Sequence, residues 1–385
     1  MTARRIVVVL ATIALVSACG GPVLANPAAQ RPVATLAPKP SLAAARDPIP
    51  IVFPADDAPH RRLTEWWYYT GHLRDESGGR WGFEFVVFRV ERGGLPVSWA
   101  SHLALTDETG GHFTYAQRSD IGGTVDQAPG SGGFSFAIGP GALAGTPWRM
   151  SRSDGADVLR AIAGPPETGE SGKSAGPAGV DLILRSRAAP LLHDGDGWID
   201  FGPAGGSYYY SRPRLSAEGT VLIGARRLKV EGTAWFDHQW GDFIAVGAGG
   251  WDWFAINLDD GTDIMLYLIR DPDGRYPLVS GTLVEPGGRA RHLDVDGFKV
   301  VVTAHWQSPV TGVDYPAGWR VSLPGEGLMV GLRPTVPGQE LDTRPTTGVV
   351  YWEGSQVVTA SRDGRALGGE AYVELTGYGR AAQAP

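Results

Sequence analysis

The chain has 385 residues, of which 43% are hydrophobic and 19% charged, so there is ample material for a core and a charged fraction below the usual quarter. A formal net charge of −7, with the arginines scattered singly, excludes an electrostatic footprint for nucleic acid or for an anionic membrane surface. Glycine at 55 residues and proline at 29 exclude a mainly helical chain, because each weakens a helix interior by about 1 and about 3 kcal/mol respectively.

The N-terminus reads as an export signal: Arg4 and Arg5, an apolar run from Ile6 to Val16, then Ser17, Ala18 and the only cysteine, Cys19. That run is too short to span a bilayer as a retained helix. Val16-Ser17-Ala18-Cys19 resembles a bacterial lipobox, so residues 1–19 are expected to be a signal peptide, with Cys19 lipidated and the product a lipoprotein on the periplasmic side of a membrane. A sole cysteine also excludes disulfides, zinc-thiolate sites and thiol catalysis elsewhere in the chain. Residues 20–50, rich in Ala and Pro, read as a flexible linker. The folded part is expected to start near Asp47 to Phe53.

From there no convincing amphipathic helix occurs, but many short β-rich runs are separated by Gly and Asp. The strands expected in chain order are Trp66 to Leu73, Gly82 to Val90, Trp99 to Thr106, Val180 to Ser186, Tyr208 to Leu215, Thr220 to Gly224, Leu228 to Trp235, Trp251 to Leu258 and Asp263 to Arg270. They continue with Leu278 to Val284, Phe298 to Trp306, Gly318 to Leu323, Gly327 to Pro334, Gly348 to Glu353, Gln356 to Ser361 and Ala371 to Tyr378. The turn signals Asp260-Gly261, Asp273-Gly274 and Asp363-Gly364 fit hairpins. Residues 163–179 read as a loop; Gly-Glu-Ser-Gly-Lys-Ser within it lacks the phosphate-loop spacing and a following helix. Sixteen strands exceed one small barrel, so the expected fold is all-β, with two tandem antiparallel β-barrel domains at 51–240 and 241–380. The break is expected near 225–245, which would put Asp237-His238 at the domain junction, where ligand sites are frequent.

The densest chemistry lies between Gly232 and Ala245, where Trp235, Asp237, His238, Trp240 and Asp242 fall within eight positions. Two indoles are expected to be buried there, and titratable groups buried beside them must be paired, shifted in pKa or used. Asp237 either serves as an acid or takes a hydrogen bond from His238 or a backbone amide and joins the two barrels. In the run from Glu65 to His72, period two puts Glu65, Trp67, Tyr69 and Gly71 on one face and Trp66, Tyr68, Thr70 and His72 on the other, so one face lines a cavity or simply packs a barrel. Ser101-His102 suggests a serine nucleophile but lacks a nucleophile elbow. His72, His102 and His238 lack short metal-ligand spacing, and no metal or cofactor is expected. The run Tyr208-Tyr209-Tyr210 with Arg212 and Arg214 reads as a strand with one ring buried and basic groups outside, or as a cation-π cap.

Seven segments in order resemble the AttH and hydroxyneurosporene synthase (carotenoid 1,2-hydratase) family. They are Glu65-Trp66-Trp67-Tyr68-Tyr69-Thr70-Gly71-His72-Leu73, Ser101-His102-Leu103-Ala104-Leu105-Thr106-Asp107, Tyr209-Tyr210-Ser211-Arg212-Pro213-Arg214-Leu215, Trp235-Phe236-Asp237-His238-Gln239-Trp240-Gly241, Gly250-Trp251-Asp252-Trp253-Phe254, Tyr351-Trp352-Glu353-Gly354 and Tyr372-Val373-Glu374-Leu375-Thr376-Gly377-Tyr378. The resemblance implies two packed lipocalin-like barrels and an apolar, isoprenoid- or lipid-like ligand in an inter-domain pocket. Its hydratase branch protonates a carbon-carbon double bond and adds water, which needs an acid, aromatic faces for the cation and a positioned water. By resemblance those roles fall to Asp237 as acid, Trp240 and Tyr267 as faces, and His238 orienting the water or holding the acid. Glu65, Trp67, Tyr69, His72, His102, Trp251 and Trp253 are expected to line the pocket. A carboxylate expected beside the tyrosine is missing, since Leu268 follows it; the nearest acid on that strand face is Asp263. This leans towards the secreted AttH branch, as a hydratase, a lipid carrier beside an ABC-type permease, or a hydrolase of a lipid-like ester.

Overall fold

The computed structural model describes residues 47–139, 146–164, 177–186, 188–202, 205–243 and 249–379. The expected signal peptide, Cys19, the linker up to residue 46 and most of the 163–179 loop lie outside them.

Two antiparallel sheets make up the described chain. The first has 12 strands: β1 (Thr64–Asp75), β2 (Arg80–Val90), β3 (Ser98–Asp107), β4 (His112–Ile121), β5 (Ser135–Ile138), β6 (Trp148–Ser153), β7 (Ala156–Ala163), β8 (Ala178–Arg185), β9 (Leu191–Leu192), β10 (Trp198–Asp200), β11 (Gly206–Ile223) and β12 (Arg226–Gly241). The second has 11: β13 (Gly250–Leu258), β14 (Asp263–Arg270), β15 (Leu278–Val284), β16 (Ala290–Leu293), β17 (Lys299–Gln307), β18 (Asp314–Leu323), β19 (Leu328–Pro334), β20 (Glu340–Asp342), β21 (Val350–Arg362), β22 (Arg365–Leu367) and β23 (Gly369–Thr376). The first runs in the order β4-β3-β2-β1-β12-β11-β8-β7-β6-β5, the second β16-β15-β14-β13-β23-β21-β19-β18-β17. Each curls into a nearly closed, lipocalin-like barrel, so the all-β, two-barrel architecture stands.

Period-two alternation explains how the barrels fill and how they meet. Trp67 and Tyr69 of β1, with Phe236 and Trp240 of β12 and Tyr210 of β11, point into the first barrel. Phe254, Ile256, Trp319 and Trp352 fill the second. The outward residues between them form a third apolar layer: Tyr68, Val86, Phe88, Tyr209 and Trp235 pack against Trp253, Met265, Tyr267 and Tyr372. The first barrel therefore uses both faces of β1, β2, β11 and β12, one for its own core and one for its neighbour.

Some expected boundaries fail, for steric reasons. The runs at 208–215 and 220–224 are one strand, β11, and those at 348–353 and 356–361 are one strand, β21. Gly219 and Gly354 suggest turns, yet both lie inside strands where a side chain would collide: a Cβ on Gly219 would sit 2.1 Å from the Asp181 carbonyl oxygen, and one on Gly354 2.3 Å from the Trp352 ring. β12 runs unbroken to Gly241, with β1 on one side and β11 on the other, and the second sheet begins with β13 at Gly250, so Asp237-His238 lie inside the last strand of the first sheet. Gly232 on β12 allows the closest of these approaches, its Cβ position being 1.9 Å from the His72 carbonyl oxygen. Gly232→Ala should force the central β1-β12 pair apart and cost roughly 1–3 kcal/mol; thermal unfolding of the purified variant checks this, and an unchanged Tm would contradict it.

Candidate functional site

A small cavity opens between the barrels, lined by Tyr68 and Glu84 from the first sheet, Asp237 and Gln239 from β12, and Trp253, Tyr267 and Glu374 from the second. Tyr209, Trp66, Phe88, Trp251 and Tyr351 complete the wall. Its free volume, counted at water centres, is about 20 Å³, and roughly 10–15 Å³ of such space holds one water. Trp66 and Trp251, both half-buried, stack at 6.0 Å between ring centroids over one side.

Strand alternation puts Asp237 on this outer face of β12. Its Oδ2 accepts the Tyr209 hydroxyl at 2.5 Å, and its Oδ1 accepts the Trp235 indole N–H at 2.6 Å and the Ser211 hydroxyl. Tyr209 in turn accepts the Trp253 indole N–H at 2.9 Å, so the second barrel braces the donor set of the first. Burial pushes the Asp237 carboxyl up to about 7, and these three side-chain donors keep it from rising further.

Three more carboxyl groups gather from other strands. Glu353 of β21 and Glu374 of β23 are directly opposed in the ladder, and Glu374 also faces Trp253, which faces Tyr267. Burial, with the charge of Asp237, pushes Glu374 up to about 7 against one indole hydrogen bond from Trp251 at 2.9 Å. Glu84 and Glu353 are fully buried, and burial plus the neighbouring carboxylates push both well above the carboxylate range. Tyr68 donates to Glu353 Oε1 at 2.8 Å and Tyr351 to Glu84 Oε1 at 3.3 Å, while the Oε2 atoms of both have no hydrogen-bond partner. Opposed carboxylates repel in an apolar layer, so the cluster holds protons at neutral pH.

The expected grouping of Asp237, His238, Trp240 and Tyr267 in one pocket is therefore corrected. Asp237 and Tyr267 share the cavity, whereas His238 and Trp240 point into the first barrel because adjacent strand residues face opposite ways. There His238 meets Glu65 at 2.9 Å and lies against Trp67, the ring centroids 4.6 Å apart. Burial holds His238 below the usual imidazole range, while close contacts with His238 and His60 outweigh burial and hold Glu65 low. Glu65, Trp67 and Tyr69 also belong to that interior and leave the pocket. Trp251 and Trp253 line it.

His72 bridges the barrels elsewhere, 3.1 Å from both Glu108 Oε1 and the Ala371 carbonyl. His102 contacts Tyr351 at 2.8 Å behind the cavity, and burial lowers it to about 3. The three histidines considered for metal thus occupy separate neighbourhoods. Ser101 donates to the Val86 carbonyl at 2.7 Å and faces away from His102, so it is not an activated nucleophile. Asp263 sits at the edge of a separate open groove of about 780 Å³, ion-paired with Arg214 at 2.6 Å. Arg212 is buried, over the rings of Tyr210 and Phe236 and paired with Asp57, rather than outside. Glu374 lies two strands from Tyr267, across Trp253 in the ladder, and lines the same cavity.

The AttH-like family model matches residues 44–378, nearly all of the described chain. The chain belongs to the AttH-like family. Its fold matches the crystal structure of a Nitrosomonas europaea protein assigned to AttH, at 30% identity over 88% of this chain and 100% of that one, with a TM-score of 0.73. The AttH-like chain also shares the fold of kievitone hydratase from Nectria haematococca, at 15% identity over 85% of this chain and 93% of that one, with a TM-score of 0.62. No curated protein matches its sequence.

Proposed function

We propose that this AttH-like protein is a hydratase that adds water to a carbon-carbon double bond at the end of an apolar, isoprenoid- or lipid-like molecule, in the cavity between the barrels. The observation that carries the reading is the convergence of Glu374 and Asp237, one with a single indole donor and one with three donors, across a water-sized aromatic cavity. The donor count sets the roles: Asp237 is the better stabilised carboxylate, and Glu374, backed by the protonated Glu353 and Glu84, retains the proton.

In the forward step Glu374 transfers its proton to one alkene carbon, forming a C–H bond. The positive charge that develops on the other carbon faces Trp253 and Tyr267. Water bonds to that carbon through oxygen and gives its proton to Asp237, and proton exchange through solvent restores both carboxyl groups. Entry of the reacting end requires Trp66 and Trp251 to part. The fold shared with kievitone hydratase supports the reading, as an architecture in which that protein is also built.

The test is to incubate the protein with a lipid extract of its host in ¹⁸O-labelled water and search by mass spectrometry for a product one labelled water heavier. Such a product supports the hydratase. An unchanged extract with one lipid retained makes the protein a carrier instead. Export and anchoring form part of the same proposal, supported by the lipobox-like Val16-Ser17-Ala18-Cys19. Cys19→Ser should move the protein from the membrane fraction to the soluble fraction on cell fractionation; wild type already soluble would remove the anchor from the account.

A further inference from the structure

The opposite face of β12 carries a second cluster that the proposed hydration does not use. His60 Nδ1 lies 2.7 Å and His238 Nε2 2.9 Å from the same atom, Glu65 Oε1, and the three donor atoms all fall within 4.8 Å of one another. The ring orientations are fixed by stacking, His60 on Trp240 at 4.1 Å and 1° between planes, His238 on Trp67 at 4.6 Å and 24°. Glu65 and His238 are completely buried, and His60 is about one-fifth exposed.

The hydrogen-bond network sets the His238 tautomer. Asp57 is ion-paired with Arg152 and Arg212 and accepts the Tyr210 hydroxyl proton, so the Tyr210 oxygen can only accept from His238 Nδ1, 3.2 Å away. The Nδ1–H of His238 is committed there, and its Nε2 presents a lone pair to a carboxylate oxygen that also carries lone pairs. His60 also faces two acceptors, Asp56 Oδ1 at 3.3 Å from Nε2 and Glu65 Oε1 at 2.7 Å from Nδ1, and in its neutral form only one of them can receive an N–H. Such contacts take either an extra proton on the imidazole or a metal cation between the acceptors, and a single cation would serve both rings and Glu65 at once.

We infer that His60, Glu65 and His238 form a structural site for a divalent transition metal of zinc type, closing the first barrel where the 54–60 segment enters it. Zinc bonds of about 2.0–2.1 Å at tetrahedral angles put donor atoms roughly 3.3 Å apart, so the two contacts to Glu65 need to open by about half an ångström while the two ring nitrogens, within 4.8 Å of each other, close towards that spacing. Two imidazoles and one carboxylate are a zinc donor set, and the fourth position is reached by water from the partly exposed His60 side. Asp56 and the Tyr210 hydroxyl sit on the second ring nitrogens, the outer positions that orient metal-binding histidines. Arg89 Nη1 lies 3.9 Å from Glu65 Oε2, leaving Oε1 as the metal-binding oxygen.

The untagged full-length protein, stripped with a chelator and desalted, is dialysed against Zn²⁺ and its metal content measured. One equivalent is expected, with a raised Tm; cobalt in its place should give the visible absorption of a tetrahedral site. His60→Gln, at the half-open ligand and checked for folding by circular dichroism, should lose the equivalent and the cobalt spectrum, and Asp56→Asn should weaken binding by about 10–100-fold. No retained zinc in wild type, or equal retention by His60→Gln, overturns the inference.

Discussion

Replacing Glu374 by Gln is expected to reduce hydration by roughly 10²–10⁴-fold, the range for loss of a positioned general acid. The substitution keeps shape and can keep the indole hydrogen bond from Trp251, so the barrel interface should survive. Asp237→Asn should cost a similar factor by a different route, since its amide oxygen can keep the Trp235 and Ser211 donors, but the NH2 that replaces the oxygen facing Tyr209 cannot accept a proton, so water has no base there. Their pH profiles distinguish the roles: the acid should set the limb that falls as pH rises, the base the limb that falls as pH drops. Steady-state rates across pH with both variants check this. Full activity in Glu374→Gln would remove the acid from the scheme.

Stability should decline as pH rises from about 4.5 to about 7, and Glu374→Gln should reduce the decline. The folded Glu374 binds its proton up to about 7 whereas the unfolded group releases it near 4.5, so its contribution is fully present below the unfolded value and is lost as pH rises through the folded one. Glu84 and Glu353, pushed further up by burial and by Glu374, extend the loss to higher pH. His102 and His193 act in the other direction. Burial lowers both to about 3, so their contribution is present above the ordinary imidazole value and is lost as pH falls towards 3. His72, held up by its hydrogen bond to Glu108 against burial, joins the carboxyls. Comparing wild type with Glu374→Gln reads Glu374 together with the part of the Glu84 and Glu353 shifts that its charge causes, and Glu374 itself contributes a slope of at most about 1.4 kcal/mol per pH unit between about 4.5 and 7. Denaturant unfolding at closely spaced pH values measures it; parallel curves would contradict the raised Glu374.

Strand type and the face of each side chain were legible in the sequence wherever alternation was clear. Trp67 and Tyr69 turn inward and Tyr68 outward as period two requires. The site was only half legible, because motif proximity was allowed to outweigh the same alternation: Asp237 and His238 are neighbours in sequence and back to back in the sheet. Glu84, Glu353 and Glu374 escaped notice because their partnership exists only in the ladders and the packing of the barrels. A signal was present in each case, an acid inside an apolar strand such as Gly82-Phe83-Glu84-Phe85-Val86, or inside the Tyr351-Trp352-Glu353 and Tyr372-Val373-Glu374 motifs. Tyr209 and Ser211 lie in one of the seven family-like segments, but they become donors to Asp237 only because β11 pairs with β12, opposing Ser211 to Asp237. His60 lies in a short entry segment before β1 that alternation does not describe.

The central claim is that Glu374 remains a neutral acid in a cavity it shares with Asp237. Carbon-13 labelling of the carboxyl groups, with the Glu374 resonance assigned by its absence in Glu374→Gln, follows that group directly by NMR as pH is raised. The account predicts that Glu374 stays protonated through pH 6 and titrates around 7 or above, moving down when Asp237→Asn removes the neighbouring charge. A Glu374 that ionises between pH 4 and 5, unaffected by Asp237→Asn, would contradict it.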